Sequence, residues 1–105
     1  MPDQWEFLLE RALGGDARAR EGLLAALKPF SAGVAARHCR RMLAWGQDDE
    51  LSVAFLALNE AVDRFDPGRG IPFLAFARLV IRSRLNDHLR REGKKPLLES
   101  VVRGE

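Results

Sequence analysis

The spacing of apolar residues constrains the fold most, because they recur three and four positions apart through most of the chain. No segment shows the sustained two-residue alternation of a half-buried strand, and the helix-favouring Ala, Leu, Arg and Glu dominate. Hydrophobic residues make up 47% of the 105 residues, enough to bury one core. We therefore predict an all-α fold, a compact bundle of about four to five helices.

Capping residues, glycines and prolines divide the first half of the chain. Asp3 is placed to cap a first helix that ends at Gly14-Gly15, and Asp16 is placed to cap a second. Pro29 lacks a backbone N–H and should break or kink that second helix. We therefore expect a third helix over about residues 30–46.

The second half contains two longer helices. Asp48 is placed to cap a helix over residues 48–66. Its apolar residues form one stripe: Leu51, Phe55, Leu58, Val62 and Phe65. The segment FDPGRGIP then predicts a turn, and Pro72 suits the start of a last helix over residues 72–92. The organisation is therefore N-terminal helices over 1–47, two further helices, and a tail or linker over 96–105.

Charge is segregated between the two long helices. Six acidic residues lie between Asp48 and Asp66, where Arg64 is the one base. Between Pro67 and Lys95, eight Arg and Lys accompany two acids. An acidic helix is therefore followed by a basic one, which indicates two different partners or simply two solvated faces.

The residue pattern does not favour catalysis or a cofactor. His38 and Cys39 are adjacent and His88 is isolated, so we expect no metal site. No serine has a His-carboxylate pair at motif spacing, and no glycine loop has phosphate-binding spacing. We therefore expect a binding module and not an enzyme. One cysteine, the lack of a signal peptide and the lack of a long apolar run suit a cytoplasmic protein without membrane insertion.

Residues 48–92 resemble the second conserved region of bacterial RNA polymerase sigma factors. The acidic helix and turn match the family pattern at Ala61, Val62, Phe65, Asp66 and Pro67. The following helix matches F-x-x-[FY]-A-x-x-x-I-R at Phe73, Phe76, Ala77, Ile81 and Arg82. The sequence is most similar to the SigI group of alternative sigma factors. The resemblance implies that residues 1–95 form a region 2 domain of the transcription initiation machinery.

For the acidic helix, the resemblance implies docking on the clamp helices of the polymerase β′ subunit. With the apolar stripe turned inward, the residues left for this contact are Asp49, Ser52, Val53, Leu56, Asn59, Glu60 and Asp63. Leu56 and Val53 are the apolar members, suited to the desolvated centre of an interface. The alternative is that these two residues pack against the N-terminal helices. An anti-sigma factor is a further candidate partner.

For the basic helix, the resemblance implies recognition and melting of the minus-ten promoter element, held largely as single-stranded DNA. Cations along the backbone and flat apolar surfaces for bases suit that ligand. The candidate contacts are Phe73, Phe76, Arg78, Arg82, Arg84, Asn86, Arg90, Arg91, Lys94 and Lys95. Asn86 is the candidate base reader, since an amide suits adenine. Either aromatic residue could instead belong to the core.

Two features depart from the best-known members of the family. Primary sigma factors have a Trp pair where this chain has Leu79-Val80, so we expect weaker DNA opening, as in alternative factors. Such factors normally continue into a second DNA-reading domain, and the sequence leaves open whether this chain is a fragment of one. The other functional hypothesis is a helical regulatory module that imitates a sigma domain without reading DNA. The basic helix favours the sigma factor interpretation.

Overall fold

A computed structural model of the chain describes residues 4–93. The elements in this range are α1 (Gln4–Leu13), α2 (Ala17–Cys39), α3 (Asp49–Arg64), a 3-10 turn (Pro67–Arg69) and α4 (Phe73–Arg91). Residues 4–93 contain no strand. The predicted all-α fold is therefore confirmed.

The junction of α1 and α2 follows the predicted signals. Gly15 adopts a φ of 99° just after α1, a value that suits glycine. The Asp16 side chain accepts a hydrogen bond from the Ala19 backbone N–H at 3.0 Å and so caps α2. The cap predicted at Asp3 lies outside the described residues.

Pro29 lies inside α2 and does not end it, so the prediction of a separate helix over residues 30–46 is wrong. An interior proline loses one backbone hydrogen bond and crowds the preceding turn, at a cost of about 3 kcal/mol. Leu23 and Leu27 before it, and Val34 and Ala35 after it, are all buried. Packing of both halves of α2 on the core outweighs the local cost of the proline.

The end of α2 also differs from the prediction. The helix ends at Cys39, where Arg40 adopts a left-handed φ of 55° and its backbone N–H donates to the Ala36 carbonyl. The chain then crosses to α3 as a non-helical connection. Arg41 in this connection binds both Asp48 and Glu50, at 3.0 and 3.1 Å, and fixes the start of α3.

Asp48 precedes α3 as predicted, but its side chain makes no capping hydrogen bond to the helix. One of its carboxylate oxygens instead accepts from the Ala44 backbone N–H at 2.8 Å. Asp48 therefore closes the turn before α3, while Asp49 and Glu50 supply the acidic first turn that the helix dipole favours.

The helices α3 and α4 are antiparallel to each other, and both pack against α2 to form the core. The predicted stripe of α3 faces inward: Leu51, Leu58 and Val62 are buried. Ala77, Ile81 and Leu85 of α4 are fully buried against them. The predicted tight turn is confirmed, since Asp66 accepts a hydrogen bond from the Gly68 N–H at 2.9 Å and Gly70 has a φ of 75°.

Candidate functional site

The outer face of α3 combines an exposed leucine with acidic and polar residues. Leu56 is 67% exposed, and Asp49 and Ser52 are also exposed. Val53 is half-buried and packs against the core at the edge of this face. Leu56 lines a recess with residues of α3 and α4, so the described residues do not support the alternative that it packs against the N-terminal helices. An exposed leucine among polar residues is the composition of an interface centre with a polar rim.

The C-terminal half of the same face is bound to α2. Arg20 donates to the Asn59 side-chain oxygen at 2.8 Å and to its carbonyl at 3.0 Å. Arg20 also forms an ion pair with Asp63 at 2.8 Å. Asn59 and Asp63 therefore hold α3 against α2, in addition to any contact that they make outside the chain.

Glu60 joins α3 to α4. The Arg84 guanidinium contacts both carboxylate oxygens of Glu60, at 2.9 and 2.8 Å, and Arg64 contacts one of them at 3.0 Å. The hydrogen bond from Arg84, followed by that from Arg64, holds the pKa of Glu60 below its ordinary value. Glu60 is therefore a partly shielded carboxylate and not a free member of the acidic face.

The cations of α4 separate onto two sides of the helix. Arg78 and Arg82 are exposed on the α2 side. Arg84 and Arg91 line a recess of about 190 Å³ on the α3 side, together with Val53, Leu56, Ala57, Glu60 and His88. Arg84 is bound to Glu60 and Asp87, so its geometry does not support the predicted contact with DNA.

A cleft between α2 and α4 has a cationic rim and an apolar wall. Its volume is about 260 Å³ and it is lined by Phe30, Gly33, Val34, Arg37, Arg78 and Arg82. The Arg78 guanidinium lies 5.6 Å from the centre of the Phe30 ring. Phe30 and Arg37 were missed by the sequence analysis, because they are distant from α4 in the chain and meet it only through helix packing.

The two candidate aromatic residues of α4 have different environments. Phe73 is 4% exposed and packs edge-on against Phe65, with ring centroids 5.1 Å apart, and beside Trp5. It is a core residue in this structure, so its prediction as a base contact is corrected. Phe76 is half-buried and forms part of a surface recess.

That recess has a volume of about 260 Å³ and lies where the turn meets α4. It is lined by Arg64, Phe65, Asp66, Arg69, Ile71 and Phe76. Arg69 and Ile71 are exposed, and Arg69 is 3.7 Å from Asp66. These residues were also missed, although the sequence placed them in the turn directly before the aromatic helix.

The remaining candidates are distributed along the rest of α4. Asn86 is half-buried, and its side-chain oxygen lies 2.8 Å from His38 Nε2 on α2. Arg90 is exposed and 3.6 Å from Asp87. In the Leu79-Val80 pair, Val80 is buried and Leu79 is 62% exposed, so Leu79 alone is available on the surface. Lys94 and Lys95 lie outside the described residues.

None of the helices in the described range has the length and apolar character required to cross a bilayer.

Comparison with known proteins shows which family the chain belongs to. Residues 23–95 match the family described as Sigma-70 region 2. The chain is 33% identical over 89 residues to RNA polymerase sigma factor SigI of Bacillus subtilis strain 168, covering 85% of this chain and 35% of that protein. It is 38% identical over 74 residues to RNA polymerase sigma factor SigI7 of Acetivibrio thermocellus, covering 70% and 31%.

A third relative is RNA polymerase sigma factor SigI of Bacillus anthracis, 35% identical over 79 residues, covering 75% of this chain and 32% of that protein. The chain thus spans about a third of the length of these relatives. The family match includes most of α2, all of α3 and α4, and the turn between α3 and α4. The chain therefore belongs to the sigma-70 family and contains its region 2, with SigI proteins among its relatives.

Proposed function

We propose that this chain is the part of a sigma factor that docks on RNA polymerase and binds melted minus-ten promoter DNA. The observation that carries the proposal is the separation of two surfaces. An exposed leucine surrounded by polar residues lies on the outer face of α3. The arginines and aromatic rings of the cleft and the recess lie on α2, the C-terminal end of α3, the turn and α4. A non-enzymatic role in transcription initiation is consistent with the family of the chain.

The proposed polymerase-docking surface consists of Asp49, Ser52, Val53 and Leu56. Leu56 is its centre, because it is the large apolar side chain that α3 leaves most exposed. The proposed partner is the clamp-helix surface of the β′ subunit. The position of this surface is fixed by the contacts of α3 with its neighbouring helices, which are made by Asn59, Glu60 and Asp63. We propose that these three residues affect docking mainly by holding α3 in place.

The proposed DNA surface consists of the cleft between α2 and α4 and the recess around Phe76. Two helices supply cations for phosphate groups: α2 contributes Arg37, and α4 contributes Arg78 and Arg82. The Phe76 recess offers an aromatic face beside Arg69, the combination that suits a flipped base next to its phosphate. For Asn86 to contact a base, DNA must replace His38 as the hydrogen-bond partner of the Asn86 side-chain amide.

The salt dependence of binding tests this assignment. The slope of log affinity against log salt is negative, and removing one phosphate contact from a single-stranded ligand makes it less steep by about 0.7. We expect this change for Arg37→Ala and Arg82→Ala, measured by fluorescence anisotropy of a minus-ten oligonucleotide with the chain bound to core polymerase. Arg18→Ala is a matched control, since Arg18 is exposed on α2 and lies about 18 Å along the helix from Phe30, the first cleft residue on α2.

Equal slopes for Arg37→Ala, Arg82→Ala and the parent would contradict the proposed DNA surface. A chain that binds polymerase but shows no binding to promoter DNA would favour the alternative, a helical module that imitates a sigma domain. The contribution of α2 to the cationic cleft argues for DNA binding, because a mimic of the docking surface has no need of these arginines.

A further inference from the structure

An imidazole and two carboxylates meet where the end of α4 passes the start of α3. The side chains are Asp49, His88 and Glu92, and their ligand atoms all lie within 4.8 Å of one another. His88 and Glu92 are one helical turn apart, and Asp49 reaches them from the antiparallel helix. His88 is isolated from other ligand residues along the sequence, which predicted no metal site, but the fold supplies its neighbours.

The side chains of this cluster differ in their contacts from the other carboxylates of α3 and its cap. Within residues 4–93 they make no hydrogen bond or ion pair, whereas the other carboxylates of α3 and its cap each bind an arginine: Asp48, Glu50, Glu60 and Asp63. Arg91 lines the adjoining recess with His88, yet it forms no ion pair with either carboxylate in that range.

We propose that Asp49, His88 and Glu92 form a binding site for a divalent transition-metal ion, with zinc as the best match. Zinc accepts imidazole nitrogen and carboxylate oxygen at about 2.0–2.2 Å. Magnesium and calcium prefer oxygen ligands throughout, so the imidazole argues against them. Ligand atoms around a tetrahedral zinc ion lie roughly 3–4 Å apart. The exposed side chains of Asp49 and Glu92 can reach that spacing by changing rotamers.

The site also has a consequence for docking, which rests on the proposed function. Asp49 belongs to the polymerase-docking surface, and a bound zinc ion would engage its carboxylate and neutralise the negative charge of Asp49 and Glu92. Zinc should therefore weaken binding to core polymerase. The metal site itself does not depend on this consequence.

Isothermal titration of the whole chain with zinc tests the site. All proteins carry Cys39→Ser, because a thiol beside His38 can bind zinc independently. We expect saturable one-site binding in this parent and its loss in His88→Gln and Glu92→Gln. His38→Gln and Glu10→Gln, which alter the other histidine and an exposed acid on α1, should retain it. Circular dichroism checks that each variant is folded.

Absence of saturable zinc binding in the parent would overturn the proposal. Unchanged binding in both His88→Gln and Glu92→Gln would also overturn it. The docking consequence predicts that zinc lowers core-polymerase affinity for the parent but not for His88→Gln. An equal effect on both proteins, or no effect on the parent, would refute that consequence. Failure to bind polymerase without zinc would contradict the proposed function and leave the titration result standing.

Discussion

Replacement of Leu56 by alanine separates docking from folding. Complete burial of a leucine side chain contributes about 1.5–3 kcal/mol, and Leu56 has 67% of its surface available. Loss of its contact should therefore cost about 1–2 kcal/mol of docking free energy, roughly a 5- to 30-fold increase in dissociation constant. Titration of labelled chain with core polymerase measures this change.

Leu79→Ala is the matched control, because Leu79 is 62% exposed but lies on α4, away from the docking surface. Both substitutions replace an exposed leucine with a good helix former, so the free energy of unfolding should change by less than about 0.5 kcal/mol. Core affinity should fall for Leu56→Ala and remain unchanged for Leu79→Ala. Equal core affinities for Leu56→Ala and the parent would refute the reasoning.

The remaining predictions concern α4. Phe76→Ala should cost about 1–3 kcal/mol of single-stranded DNA binding in anisotropy titrations, and unchanged affinity would remove Phe76 as a base contact. Phe73→Ala should instead lower the free energy of unfolding by about 3–5 kcal/mol in urea titrations; a smaller loss than for Phe76→Ala would contradict its core position. Arg84 lowers the pKa of Glu60, so the pair stabilises the fold at neutral pH and loses this contribution as pH falls through the folded-state pKa. The stability difference between the parent and Glu60→Gln should therefore shrink in acid, and a difference independent of pH would refute the linkage. Leu79→Trp should increase opening of duplex promoter DNA, measured by permanganate reactivity, and no increase would count against Leu79 lying at the opening point.

The sequence was sufficient to predict the second half of the fold. The apolar stripe from Leu51 to Phe65 and the turn residues Asp66 and Gly70 act locally, so helix and turn positions follow from spacing and backbone preference. Pro29 misled the prediction because its local cost competes with core packing on both sides. That packing depends on the tertiary structure and has no local signal.

The sites were harder to predict, because their residues come from different helices. Arg37 and Arg82 are neighbours only because α2 crosses α4, and Asp49 and His88 only because α3 and α4 are antiparallel. Helix geometry alone predicts part of the separation of the α4 arginines onto two sides of the helix. Arg84 is two positions from Arg82, which places it about 200° around the helix, on the side that faces α3.

The most direct test of the account is a two-step binding measurement on the whole chain. The chain is first titrated with core RNA polymerase, and the complex is then titrated with single-stranded oligonucleotides with and without a minus-ten element. We expect saturable binding to polymerase, followed by tighter binding of the complex to the minus-ten oligonucleotide. A folded chain that does not bind polymerase, or a complex that binds both oligonucleotides equally, would contradict the proposed function.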